Sequence, residues 1–226
     1  MKTSLLLLVF LSVFATGFRM PAKKKIVFFG DSITQQGAGP DGYIKKIDSI
    51  LSQKNQSANY ETLGAGISGN KVYDLYLRMD DDVLAKNPDA VVIYIGINDV
   101  WHKRTSGTGT DPDRYEKFYN AIIKKLQDKN ITVYLCTPSV IGEKTDFTNQ
   151  LDGDLNQYAV LVKKIAAANK CTVIDLRQAF LDYLKNNNPE NKDRGILTVD
   201  GVHLNRTGNI FVAQQMYSVL SKDFIK

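Results

Sequence analysis

Histidine and cysteine are scarce in this chain, two of each among 226 residues, and there is a single tryptophan. His102 and His203 stand far apart, and neither has a cysteine close by in sequence. No grouping has the tight spacing of a zinc or iron site, so neither a metal nor another cofactor is expected. The cysteines, Cys136 and Cys171, close one predicted strand and open the next parallel one. At about 3.3 Å per residue the thiols fall on the order of 15 Å apart, whereas a disulfide needs Cα atoms within about 7 Å. Two free, mostly buried thiols are expected. Clustered positive charge is also missing. The net charge is +5, but lysines and arginines come singly or in pairs apart from Lys23–Lys25, and no basic helix interleaved with aromatics appears, which argues against nucleic acid as a partner. No period of 20 to 50 residues repeats and no low-complexity tract occurs.

Beyond residue 20 there is no long apolar run. Before it, Leu5–Phe14 is one, preceded by Met1-Lys2 and followed by the small residues Ala15-Thr16-Gly17. A basic start, a short apolar stretch and small residues at its end make a secretory signal peptide, too short to cross a bilayer as a helix. Residues 1–20 are assigned to this leader and 21–226 to one domain, expected to be secreted or periplasmic without stable membrane insertion.

The rest alternates between strand and helix. Ile26-Val27-Phe28-Phe29 is an unbroken apolar run ending in Gly30-Asp31-Ser32, as in a buried parallel strand that stops in a tight turn. Further strands are predicted at 59–63, 90–95, 131–136 and 172–176. Helices are predicted at 41–54, from Val72 through Leu75 and Leu77 to Leu84, at 112–129 with Asp111 as cap and Pro112 in the first turn, at 154–169, near 177–186, and at 207–222 with Ile210, Ala213, Met216, Tyr217 and Leu220 on one face. Segments 101–110 and 137–153 are predicted loops. The pattern gives a five-stranded parallel sheet between two helical layers.

Ligands of such sheets bind where the strands end at their C-terminal edge. Ser32, Gly69 and Asn98 each follow a predicted strand, and Asp200 and His203 share a late loop. A hydroxyl, an imidazole three residues after a carboxylate, and amide donors are the parts for acyl transfer by a serine nucleophile. His203 can take the Ser32 proton near neutral pH, Asp200 can hold the other ring nitrogen, and Ser32 N–H, Gly69 N–H and the Asn98 side chain can bind an oxyanion.

Gly30-Asp31-Ser32, Gly69, Gly96-Ile97-Asn98-Asp99 and Asp200-Gly201-Val202-His203 resemble, in order, the four blocks of the SGNH (GDSL) hydrolase family, and they span nearly all of residues 21–226. The resemblance implies a three-layer α/β/α, flavodoxin-like fold and metal-free ester hydrolysis. It implies Ser32, Asp200 and His203 as catalytic residues and Ser32, Gly69 and Asn98 as the oxyanion hole. Gly64 stands where the second family block often has Asn, and Ile97 where a Thr is commoner. The polar 101–110 and 137–153 segments, with Trp101, Ile141 and Phe147 as bulky members, favour a short acyl group on a polar alcohol such as an acetylated carbohydrate.

Competing readings are a lysophospholipase- or thioesterase-like acyl hydrolase of the same fold, a non-catalytic carbohydrate-binding relative, and a dinucleotide-binding protein. The last rests on Gly64-Ala65-Gly66-Ile67-Ser68-Gly69, a G-x-G-x-x-G that follows the second strand and lacks the acid expected after the next one. Asp31 and Asp99 are read as turn caps, and His102, which follows Asn98 closely, as a solvated loop residue, with a substrate contact as the alternative.

Overall fold

The computed structural model describes residues 22–226; the signal peptide assigned to 1–20 lies outside the described residues. Five parallel strands run β1 (Lys24–Gly30), β2 (Tyr60–Gly66), β3 (Ala90–Tyr94), β4 (Thr132–Cys136) and β5 (Thr172–Ile174), in spatial order β2-β1-β3-β4-β5. Their C-terminal ends are in register: Gly30 pairs with Gly66 and Tyr94, Tyr94 with Cys136, and Cys136 with Ile174. The residues just beyond these ends therefore gather on one edge.

Among the described residues six helices connect the strands, α1 (Ser32–Gly37), α2 (Tyr43–Gln53), α3 (Val72–Asp82), α4 (Ile97–Thr105), α5 (Pro112–Gln127) and α6 (Asp152–Ala168), and two follow β5, α7 (Leu176–Asn187) and α8 (Arg206–Asp223). Helix α2 packs on α8, and α3 on α5 and α5 on α6, with the sheet between the two sets. Every residue of β3 is buried, as is β1 from Ile26 onward, which accounts for their unbroken apolar sequences. Phe28 and Tyr43 meet edge to face at 5.8 Å, and Tyr115 does the same with both Tyr119 and Tyr158.

Several local expectations are corrected. The expected Gly30-Asp31-Ser32 turn continues into a helix, Ser32–Gly37, because Asp31 accepts the Ile33 N–H at 3.0 Å and starts it. The 101–110 segment is helical as far as Thr105. Its helix begins with a fully buried turn, Ile97–Val100, so packing against the sheet edge outweighs the polar composition of residues 102–105. Helix α3 stops at Asp82 and a 3-10 turn, Leu84–Lys86, comes after it; Leu77 is 76 % exposed, and Val72, Leu75 and Met79 form the buried stripe. In α8, Val212 lies inside and Ile210 is 40 % exposed. Asp111 precedes Pro112 as expected, but its side chain makes no capping bond and pairs with Lys103 at 3.0 Å.

Cys136 is buried, Cys171 half-buried, and both are free. Burial raises both thiols, Cys171 to about 11.

Candidate active site

Ser32 is the first residue of α1, directly beyond β1, and is 8 % exposed. Its Oγ lies 3.0 Å from His203 Nε2, and His203 Nδ1 lies 2.6 Å from Asp200 Oδ2. Asp200 Oδ1 accepts the backbone N–H groups of Val202 at 2.9 Å and His203 at 2.8 Å. Partial burial raises the Asp200 carboxyl, but the His203 ring and these N–H groups outweigh it and hold the acid below its usual range. An ionised Asp200 can only accept, so Nδ1 carries the proton. Nε2 of a neutral ring is then the acceptor for the Ser32 hydroxyl. The three residues predicted from sequence are thus joined by two bonds across 171 positions.

The predicted oxyanion donors follow β1, β2 and β3, whose ends are in register, so they lie on the same sheet edge. Asn98, in the first turn of α4, is buried, and its Nδ2 donates to the carbonyl of Asn70 at 3.1 Å. One amide hydrogen is fixed there and the second is left over. Among the described residues neither the Ser32 nor the Gly69 backbone N–H has an acceptor. Gly69 has φ +77°, a conformation that favours glycine. Its carbonyl is held by Lys71 Nζ at 2.9 Å, and Ser68 N–H is held by Gln35 Oε1 at 2.8 Å, so the loop that carries the Gly69 N–H is pinned on both sides.

Sequence reasoning missed two residues that shape this edge. Arg78 of α3 donates to the strand-end carbonyls of Gly30 at 2.8 Å and Ala65 at 3.0 Å, and to Asn70 Oδ1 at 2.6 Å, while pairing with Asp82 and stacking on Phe29. Glu143, in the 137–151 segment, is completely buried. Its carboxylate accepts from Ile196 N–H, Leu197 N–H and Thr198 N–H, each at 2.7 Å, and from Thr198 Oγ1 at 2.9 Å. Thr198 Oγ1 in turn accepts the Gly201 N–H at 3.0 Å, and Gly142 N–H donates to the Gly201 carbonyl at 2.9 Å. Four hydrogen bonds offset the cost of burying this carboxylate and set the shape of the loop that presents Asp200 and His203. A glutamate in a polar loop gives no sequence signal of this kind, because its partners stand more than fifty positions away.

Asp31 caps the turn beyond β1 as expected, and that turn opens α1. Asp99 does something different: it accepts the Val72 N–H at 3.1 and 3.3 Å and so caps α3, a helix 27 positions earlier. Both are fully buried. Burial lifts Asp31 to about 7 against the pull of the Ile33 N–H and His203, and lifts Asp99 to about 7 with help from the Asp31 charge. His102 sits on α4, one turn after Asn98, and is half-buried there, with burial and the Lys71 charge both lowering its pKa. Phe147 is 94 % exposed and touches no part of this edge closely enough to be buried by it.

The glycines of the G-x-G-x-x-G stretch have packing reasons. A Cβ on Gly66 would lie 2.1 Å from Gln35 N, and one on Gly64 would lie 2.7 Å from Ala38 Cβ, because α1 and its end lie directly over β2. The Val72 and Lys71 N–H groups at the start of α3 are already taken by Asp99 and Asp74, so that helix end does not offer the open donors that hold a pyrophosphate.

A sequence model of the GDSL-like Lipase/Acylhydrolase family matches residues 28–209, most of the chain. The chain belongs to this family. An acetylxylan esterase of Geobacillus stearothermophilus is 30 % identical over 219 residues, covering 90 % of this chain and 96 % of that one, and a GDSL esterase/lipase of Arabidopsis thaliana is 27 % identical over 223 residues, covering 90 % and 88 %. Among solved structures, an acetyl xylan esterase superposes with TM-score 0.84 at 60 % identity, covering 86 % of this chain and 98 % of that one. The Geobacillus stearothermophilus acetylxylan esterase Axe2 superposes with TM-score 0.78 at 26 % identity, covering 92 % and 98 %. Its solved forms include catalytic mutants with a serine or a histidine replaced by alanine. As a GDSL-family acylhydrolase of the SGNH fold, the chain is a serine ester hydrolase, and its three-layer α/β/α architecture is the one expected from the alternating sequence.

Proposed function

We propose that this esterase removes O-acetyl groups from xylan-type carbohydrates through an acetyl-Ser32 intermediate. The observation that carries the proposal is the continuous relay from Ser32 Oγ through the His203 ring to Asp200, at 3.0 and 2.6 Å, a feature that a non-catalytic relative has no reason to keep. Ser32 Oγ attacks the acetyl carbonyl as its proton passes to His203 Nε2, and Asp200 stabilises the imidazolium. The oxyanion takes hydrogen bonds from Ser32 N–H, Gly69 N–H and the free Asn98 amide hydrogen. Collapse breaks the bond to the sugar oxygen, which leaves with the proton from Nε2. Water, deprotonated by the same nitrogen, then releases acetate and restores Ser32.

The carbohydrate half of the proposal is supported by the acetylxylan esterases at 60 and 30 % identity over nearly the whole chain. The apolar leader in residues 1–20 supports export, where a polymeric substrate is met. The test is acetate release from acetylated xylooligosaccharides by wild type and Ser32→Ala. Release by wild type and none by the variant is expected. Release from long-chain esters in preference to acetyl esters would overturn the substrate assignment.

A further inference from the structure

A cavity of about 220 Å³ lies between α4 and the 137–151 segment, lined by Trp101, Arg104, Thr105, Ile141, Gln150 and Leu151. A larger one, about 560 Å³, is lined by Pro88 and Ile131 among others, residues that precede β3 and β4, so it opens at the far edge of the sheet from Ser32. The smaller cavity is different, because both its walls run into the reaction centre. Trp101 stands one turn after Asn98, and Asn98, Trp101 and Thr105 share one face of α4. On the other side, Ile141 is followed by Gly142, whose N–H bonds the carbonyl of Gly201 at 2.9 Å, between Asp200 and His203. The cavity is thus flanked by the helix that carries Asn98 and by the segment that bonds the Asp200–His203 loop.

We infer that this cavity is a subsite for the neutral sugar ring next to the acetylated one; the inference rests on the carbohydrate reading above. Its size is below the roughly 300 Å³ at which drug-sized sites begin, which suits one ring and not a chain. Its chemistry is that of a pyranose. The half-buried Trp101 and Ile141 offer a flat apolar wall to the C–H face of a ring. The exposed Arg104 and Gln150 present donors and an acceptor to the hydroxyls at its rim. No carboxylate lines it, so nothing in it is matched to a cationic ligand.

Trp101 is the sole tryptophan, so its fluorescence reports this one place. Titrating the folded wild-type enzyme with unacetylated xylotriose should change the emission saturably, and xylotriose should inhibit hydrolysis of acetylated xylooligosaccharides competitively. In Trp101→Ala and Arg104→Ala, kcat/KM for acetylated xylooligosaccharides should fall about tenfold further than kcat/KM for p-nitrophenyl acetate, mostly through KM. Arg104 is exposed, so its variant tests the subsite even if Trp101→Ala folds poorly. Equal losses on both substrates, together with unchanged fluorescence, would overturn the subsite while leaving the deacetylase reading intact. Turnover of p-nitrophenyl acetate with none of the oligosaccharide would instead overturn the carbohydrate reading itself.

Discussion

Replacing Glu143 with glutamine tests how the loop that carries Asp200 and His203 is held. Oε1 accepts three bonds, from Leu197 N–H, Thr198 N–H and Thr198 Oγ1, and Oε2 accepts the fourth, from Ile196 N–H. A glutamine oxygen can keep the threefold side, but its amide nitrogen then faces the Ile196 N–H, donor against donor. An unpaired buried donor costs about 1–3 kcal/mol, and bonds to a neutral acceptor are weaker than those to a charged one. The expected loss is about 2–4 kcal/mol, a large part of a typical stability of about 5–15 kcal/mol but not all of it. For a domain of this size that corresponds to a drop in Tm of roughly 5–15 °C. The consequence for activity comes through Gly201 N–H, which is anchored on Thr198 Oγ1 between Glu143 and the Asp200–His203 pair. A displacement of about 1 Å there can cost on the order of 10²-fold in rate. Calorimetry and steady-state kinetics well below the melting range give both numbers. A Glu143→Gln enzyme that melts within about 2 °C of wild type, or that loses stability with kcat unchanged in the cold, would refute the reasoning. Glu143→Ala, which strands all four donors, should be worse in both respects.

Asn98→Ala should lower kcat by about 10²–10³ with little change in KM, because the lost donor serves the oxyanion and not the ground state; a pure KM effect would assign Asn98 to binding. Asp200→Asn leaves the ring without its ionised partner and should cut kcat by about 10²–10⁴, measured on p-nitrophenyl acetate; retention of full activity would remove Asp200 from the relay. Asp99→Asn keeps an acceptor for the Val72 N–H but removes a titrating group. The folded acid is raised to about 7 from 3.8, so the folded state holds a proton that the unfolded chain releases between those values. That contribution is complete at low pH and lost as pH rises through about 7. Melting curves should therefore show the variant gaining on wild type from pH 5 to 8, and parallel profiles would contradict the buried, raised acid.

The central strands were legible because burial on both faces demands unbroken apolar runs, as in Ile26–Phe29 and Ala90–Ile95, whereas β2, only partly buried, extends to Gly66 beyond its predicted end. The Ser32–His203–Asp200 contacts were legible because a hydroxyl, an imidazole and a carboxylate stand in short motifs at a strand end and in one loop. Helix α1 was not, since it starts on the motif itself and lasts six residues. Nor was α4, whose buried first turn holds the polar Asn98 and Asp99 and breaks the usual pattern of apolar inside and polar outside. Leu77 and Ile210 misled for the opposite reason: a leucine and an isoleucine at near-helical spacing lie outside while Met79 and Val212 fill the core. Glu143 and Arg78 act through backbone groups of distant segments, and a side chain that bonds main-chain N–H or C=O leaves no partner residue type to recognise.

The central claim is that Ser32 Oγ is made nucleophilic by His203. The folded enzyme can be exposed to a fluorophosphonate, digested and mapped by mass spectrometry. A single adduct on the Ser32 hydroxyl, absent under the same exposure in His203→Ala, is the predicted result. An active enzyme that takes no adduct, or takes it on another residue, would contradict the account.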